Sequence, residues 1–214
     1  MSGATGGRAK RVMDLVIAVP AFVLFAPVMI AIAIWVRRDS PGGAIFRQER
    51  VGLDGRTFPL LKFRTMVAGA QQMGAGLAVD HNDSRITGPG ATLRRLSLDE
   101  LPQLWNVIRG DMSIVGPRPT VAQQVARYTD HQRRRLEARP GITGLAQVRG
   151  RAAIPWSQRI EMDIEYVDRW SVPLDLSILL RTVWVVVRRD GTYRGETGGF
   201  DLPPIDQEHP PSPT

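Results

Sequence analysis

The sequence predicts an α+β fold that is mainly helical. An N-terminal re-entrant membrane helix-break-helix precedes a compact interfacial domain with a small β-hairpin and amphipathic helices. Three observations carry this. Residues 15–36 hold no charged side chain. Residues 44–63 form two apolar runs around an Asp54-Gly55 turn signal. Residues 158–170 place Ile160, Ile164 and Val167 on one helical face. The chain divides into residues 1–40 (basic flank and membrane helix), 41–190 (the compact domain) and 191–214, a Gly/Pro-rich polar tail that reads as disordered.

The N-terminal stretch has 22 residues without a charge, and a helix needs about 20 to cross a bilayer. A cleaved signal fits poorly, because the apolar run exceeds the usual core of about 7–15 residues and no small-residue cleavage site follows. A straight span fits less well than a hairpin for two reasons. Pro20 and Pro27 each remove a backbone donor inside the run. Basic residues flank both sides, Arg8, Lys10 and Arg11 before and Arg37 and Arg38 after, and such residues stay cytoplasmic. A helix that enters one leaflet, bends near Pro27 and returns satisfies both. Asp14 is costly in lipid unless it pairs with Lys10 or Arg11.

After the hairpin, where Pro59 points to an edge strand, residues 66–90 are rich in Gly, Ala and polar side chains and predict a short helix with a mobile loop. Residues 91–96 form a short basic approach carrying Arg94 and Arg95. The charges of residues 120–138 are dense enough to predict an exposed helix, and Arg139-Pro140-Gly141 is a turn. Residues 174–187 are apolar but too short to span, so they form a core helix or one lying in the membrane interface.

Length and composition narrow the chemistry. The 214 residues accommodate one domain with appendages. No cysteine is present, which excludes disulfides, thiolate chemistry and cysteine metal sites. His81, His131 and His209 are scattered and speak against a histidine zinc site. A net charge of +7 and a pI near 10.8 suit an anionic partner: nucleic acid, anionic lipid or a phosphorylated substrate. No basic helix or aromatic-interleaved strand marks nucleic-acid binding. Arg133-Arg134-Arg135, Arg188-Arg189 and Asp163-Ile164-Glu165 read as solvated faces.

The chemistry centres on Ser97-Leu-Asp99-Glu100-Leu-Pro102-Gln. One reading is a helix cap, with Ser97 and Glu100 as a capping box and Asp99 favoured by the helix dipole. The other is catalytic. A carboxylate kept ionised by Arg94 and Arg95 can attack phosphorus and form a covalent intermediate. Attack on a phosphate then needs Mg²⁺ and cationic side chains, for which Lys62, Arg94 and Arg118 are available. No phosphate-binding P-loop or dinucleotide fingerprint competes. Two other classes compete: a non-catalytic membrane adaptor, which would release no nucleotide, and an anchored nucleic-acid binder, which would bind with steep salt dependence.

Several motifs occur in order: Lys10-Arg11-x-x-Asp14, Phe46-Arg-Gln48-Glu-Arg50-Val-Gly52, Lys62-Phe63-Arg64-Thr65-Met66, the Asp99-Glu100 run, Gly116-Pro117-Arg118-Pro119, Arg139-Pro140-Gly141-Ile-Thr143-Gly144, and Tyr166-Val-x-x-Trp170-Ser-x-x-Leu-Asp175-Leu. With these the chain resembles the monotopic phosphoglycosyl transferases, or bacterial sugar transferases, in their minimal short form. One departure is Ala26-Pro27, where the family often has Ser-Pro. The resemblance implies a transferase that moves a sugar 1-phosphate from a UDP-sugar to undecaprenyl phosphate and releases UMP. It places the catalytic domain on the cytoplasmic face of the bacterial inner membrane, in contact with membrane lipid and with no nucleic acid. It implies Asp99 as nucleophile and Mg²⁺ ligand, Glu100 as its assistant, Lys62 and Arg94 on phosphates, and Arg118 with Pro117 at the nucleotide. Pro27 marks the membrane-anchor break. A homodimer is left open, and neither the sugar nor the glycan is readable.

Overall fold

The structure is a computed structural model that describes residues 5–70, 73, 83–150 and 154–188. The tail at 191–214 and most of the loop at 71–82 lie outside the described residues.

Residues 7–39 form a single helix, α1 (Gly7–Asp39), with Pro20 and Pro27 inside it. Each proline deprives the carbonyl four residues earlier of its intrahelical donor. α1 is fastened to the compact domain at both ends. Near its start, Lys10 Nζ pairs with Asp175 at 2.6 Å, and both side chains are buried. Arg11 donates to the carbonyls of Val107 and Ile108. Asp14 accepts from Ser113 Oγ at 2.7 Å and from the Ile114 amide at 3.0 Å. The expected partners of Asp14, Lys10 and Arg11, therefore turn to other elements, and Asp14 takes neutral donors instead. Near its end, Arg64 donates to the carbonyls of Val36, Ser40 and Pro41. A cation at a helix C-terminus satisfies orphan carbonyls and suits the dipole. Between the ends, Ala18, Ile32 and Val36 are buried while Val16, Val23, Leu24 and Ile30 are exposed.

The expected hairpin is present. β1 (Ile45–Val51) and β2 (Thr57–Phe63) pair antiparallel with Ile45 opposite Phe63. Asp54 and Gly55 both have positive φ, 53° and 78°, and the Arg56 amide reaches the Leu53 carbonyl at 3.1 Å. That is the primed turn which Asp-Gly favours. The outer edge of β2 is closed by a side chain. Asn106 Oδ1 accepts from the Leu61 amide at 3.0 Å, and its Nδ2 donates to the Pro59 carbonyl at 2.8 Å. Pro59 thus directs its missing donor to the edge away from β1, as expected. We expect Asn106→Leu to cost about 1–3 kcal/mol, because the buried Asn106 side chain is removed from two partly buried backbone groups that lose their partner. Chemical denaturation of the detergent-held protein measures it; no loss would mean that the edge does not need this cover.

α2 (Gly88–Arg95) starts on Thr87, whose hydroxyl caps the Gly90 amide at 3.1 Å. It absorbs the basic approach expected at 91–96. α3 (Gln103–Arg109) follows the carboxylate pair and ends at Gly110. Its Trp105 packs on Phe22 of α1 at 5.7 Å between ring centroids. β3 (Ser113–Val115) and β4 (Gly141–Thr143) pair in parallel.

Residues 120–138 are not one exposed helix. They break into α4 (Ala122–Val125), α5 (Asp130–Arg133) and a 3-10 turn at Arg134–Glu137, with Val121, Val125, Tyr128 and Arg135 buried. The Thr129 capping box starts a new helix inside the region. After α6 (Leu145–Arg149), α7 (Trp156–Arg169) buries Ile160 and Ile164 as its periodicity requires. α8 (Val172–Arg188) turns Ile178 inward and leaves Leu176, Leu180, Val183 and Trp184 exposed.

Candidate active site

The chain leaves α2 at Leu96 and reverses through Ser97, a non-glycine residue at φ 56°. A 3-10 turn, Leu98–Glu100, then presents the two carboxylates. The capping box expected at Ser97 is absent: its side chain makes no cap bond, and α3 begins only at Gln103. A residue in the left-handed region does not aim its hydroxyl at the following amides as an extended N-cap does.

The cationic neighbours come from three elements. Lys62 at the end of β2 places Nζ 2.8 Å from Glu100 Oε1. Arg118, from the loop after β3, reaches the same oxygen at 2.8 Å. Arg94 on α2 is aimed by a 2.8 Å bond to Thr65 Oγ1 and adds its charge to the field at Asp99. Burial works against Glu100's charge, but Arg118 and Lys62 outweigh it and hold the carboxyl far below its usual range. Glu100 is thus a fixed anion that aligns two cations. Asp99 is different. It is 9% exposed, and burial, helped by Glu100's charge, pushes its carboxyl above the ordinary range despite Lys62, Arg94 and Arg118. It is a carboxylate without an ion-pair partner among the described residues, which leaves it available to react.

The Arg118 loop is held from behind. The Gly116 amide donates to the Thr143 carbonyl and the Gly141 amide to the Pro117 carbonyl, each at 2.8 Å. A Cβ on Gly116 would lie 2.2 Å from the Arg139 carbonyl oxygen, and one on Gly141 would lie 2.1 Å from the Gly116 nitrogen. These glycines permit backbone contact that no side chain tolerates. Arg135 Nη2 donates to the Arg118 carbonyl at 2.9 Å and to Asp163 Oδ2 at 2.6 Å, and Arg135 Nη1 donates to Tyr128 Oη at 2.7 Å. Arg135 and Asp163 are both buried. The reading of both as solvated faces is overturned: each neutralises the other, which is the condition for burying such charges.

Of the residues singled out in the sequence, Asp99, Glu100, Lys62, Arg94 and Arg118 come together here. Pro117 contributes its carbonyl to the loop anchor and lines a small hollow with Arg118. Pro27 stays in the middle of α1. The sequence assigns Thr65 and Arg50 no role of their own, and Arg135 and Asp163 only the solvated-face reading corrected above. Thr65 and Arg50 lie inside quoted motifs, which was the available signal. Among the described residues no three His, Asp or Glu side chains gather into a metal cage.

Two carboxylates ringed by Lys62, Arg94 and Arg118 sit on an α+β domain that carries a long apolar helix. The family described as bacterial sugar transferase matches residues 5–189. The chain belongs to the bacterial sugar transferase family. It is 42% identical over 198 residues to the undecaprenyl-phosphate galactose phosphotransferase of Salmonella typhimurium, covering 86% of this chain and 41% of that protein. It is 45% identical over 193 residues to the UDP-glucose:undecaprenyl-phosphate glucose-1-phosphate transferase of Caulobacter vibrioides, covering 86% and 72%. It is 39% identical over 202 residues to the exopolysaccharide production protein ExoY of Rhizobium meliloti, covering 88% and 89%. The chain spans less than half the length of the Salmonella relative and of two others of like identity.

Proposed function

We propose that this protein transfers a sugar 1-phosphate from a UDP-sugar to undecaprenyl phosphate in two steps, through a phosphoglycosyl-Asp99 intermediate. The observation that carries the proposal is a buried Asp99, without an ion-pair partner among the described residues, beside a Glu100 locked by Lys62 and Arg118. In the first step an Asp99 oxygen attacks the sugar-bearing phosphorus, the phosphoanhydride bond breaks, and UMP departs with the bonding pair. In the second, an oxygen of the lipid phosphate attacks the same phosphorus and the Asp99 carboxylate leaves. Lys62, Arg94 and Arg118 offset the charge of the diphosphate, and their preset positions lower the cost of reorganisation. Glu100 acts by orienting Lys62 and Arg118. The donor set fits Mg²⁺, which takes one or two carboxylates and completes its shell with phosphate oxygens and water. Asp99 would hold it, and it would neutralise the diphosphate.

The test is UMP release from a panel of UDP-sugars by nanodisc-held protein, with undecaprenyl phosphate and with Mg²⁺ present or chelated. Release that needs the metal supports the reading and names the sugar. Silence across the panel would overturn it. A pH titration is a second check. Because burial raises the Asp99 carboxyl, the nucleophile is lost to protonation at a higher pH than an exposed aspartate would be. In the metal-free protein the Asp99 carboxyl therefore titrates above the ordinary carboxylate range near 4, read by carboxyl-carbon NMR; titration at or below that range would contradict its buried placement.

The site works at the cytoplasmic face of the inner membrane, with α1 re-entrant. Support comes from the attachments of α1: Lys10, Arg11 and Asp14 at its start and Val36 to Ser40 at its end bind the same compact domain. Two ends bound to one compact domain support a segment that does not carry its ends to opposite faces of a bilayer, although the helix runs unbroken through Pro27. The exposed apolar stripe of α8 suits the same interface. A Ser40→Cys variant is expected to react with impermeant maleimide only from the cytoplasmic side; labelling from the outside alone would sink the hairpin.

A further inference from the structure

Arg50 is half-buried. Buried Arg135 and exposed Arg149 are each matched by a carboxylate, and buried Arg64 is held by three carbonyls, whereas Arg50 has neither a carboxylate within ion-pair distance among the described residues nor such a set of carbonyls. Its Nη2 donates to Gln48 Oε1 at 2.5 Å, its Nη1 makes a long 3.4 Å contact with the Pro119 carbonyl, and its Nε is buried without a partner. A guanidinium has five donors, and these leave it unsatisfied. Burial, with Arg118 nearby, lowers its pKa from 12.5 to about 10, against which Glu100 gives only partial compensation. A cation in this state is stabilised by an anion brought from outside.

The charge map says which anion. Asp99 responds to Lys62, Glu100, Arg94 and Arg118, but Arg50 is not among the charges that shape it. Arg50 responds to Arg118 and Glu100. Arg50 reaches the carbonyl of Pro119, the residue after Arg118, and so stands against the loop that carries Arg118. The sugar-bearing phosphorus must meet Asp99, so of the two donor phosphates the one that departs with the nucleoside is the one free to rest on Arg118 and Arg50. Beyond Arg50 opens a groove of about 380 Å³ lined by Gln48, Glu49, Arg50, Thr57, Val121 and Gln123. The side-chain amides of Gln48 and Gln123, the Thr57 hydroxyl and the Glu49 carboxylate line it and supply donors and acceptors of the kind that a base and a ribose require. The volume falls in the small-ligand range of about 300–1,000 Å³.

We infer that Arg50, with Arg118, forms the seat for the nucleoside-bearing phosphate of the sugar donor, and that the groove along β1 and α4 takes the nucleoside. This rests on the transferase reading above.

The test uses the full chain in nanodiscs and three probes: UMP, uridine and undecaprenyl phosphate. Arg50→Gln is expected to weaken UMP binding roughly ten- to a hundredfold, the value of a lost charge-assisted contact, and to raise KM for the UDP-sugar. Uridine affinity and KM for undecaprenyl phosphate stay close to wild type. Arg50→Lys keeps the charge and restores part of the UMP affinity, and Arg47→Gln, an exposed neighbour on β1, changes nothing. Unchanged UMP affinity in Arg50→Gln overturns the proposal. So does a loss confined to undecaprenyl phosphate, which would make the seat the acceptor's. A parallel loss for UMP and uridine together with a lower melting temperature in both Arg50 variants would make Arg50 a structural cation and overturn it too. Wild type that binds UMP yet releases none from any UDP-sugar would defeat the transferase reading while leaving the phosphate seat standing. Wild type that does not bind UMP defeats the seat.

Discussion

Asp99→Asn is expected to abolish turnover, lowering kcat by roughly four orders of magnitude or more, as removal of a nucleophile does elsewhere. The substitution preserves shape and burial but replaces a nucleophilic oxygen anion with a neutral amide. Glu100 offers no substitute, because Lys62 and Arg118 both hold its Oε1. Intact-mass measurement of wild type given only the UDP-sugar shows a phosphosugar adduct, and the Asn variant shows none. Its stability moves the other way. The folded state holds the Asp99 proton more tightly than the unfolded chain does, since burial raises its carboxyl, so at neutral pH the ionised group opposes folding. The Asn variant therefore melts at or above the wild-type temperature. That is the pattern of a residue kept for reactivity at some cost in stability. Full turnover in Asp99→Asn would place the nucleophile elsewhere.

Asp163→Leu carries the largest expected effect on stability. It strips the buried Arg135 of its only carboxylate partner among the described residues, and a guanidinium does not relieve its burial by losing a proton. Breaking one side of a buried pair costs about 3–5 kcal/mol, which corresponds to a fall in Tm of roughly 10 °C for a domain of this size. Arg135→Met combined with Asp163→Leu removes both charges and regains most of that loss. Activity does not return with it, because the Arg118 carbonyl has lost the Arg135 donor that braces the loop. Thermal unfolding and UMP release measured side by side separate the two roles. An Asp163→Leu protein with wild-type Tm would show that the pair is not the brace described.

Reading the sequence succeeded where the chain's local physics decides. Asp54-Gly55 adopts the two positive φ values that its composition allows cheaply, so the hairpin forms in the expected place. Residues 156–169 follow their 3.6-residue repeat, with Ile160 and Ile164 buried. Reading failed where a local pattern had a competitor. Ser97-x-x-Glu100 has the letters of a capping box, but α2 must reverse before α3, and Ser97 takes up the turn in the left-handed region. Residues 120–138 have the charge density of an exposed helix, yet the capping box at Thr129 restarts the helix and turns Arg135 inward.

The sequence by itself determined the apolar length of α1, the turn of the hairpin, the amphipathic face of α7 and the adjacency of Asp99 and Glu100, because each depends on neighbours within a few residues. Only the tertiary structure decided that Lys62 and Arg118 close on one oxygen of Glu100, that Arg135 and Asp163 are buried together, and that Arg50 meets no carboxylate among the described residues. The state of a charge is set by which opposite charge reaches it and how much water remains around both. Those partners lie 38, 18 and 28 residues apart in the chain, so no local spacing records them; the packing of β2, the Gly-Pro-Arg-Pro loop and α7 around the carboxylates does.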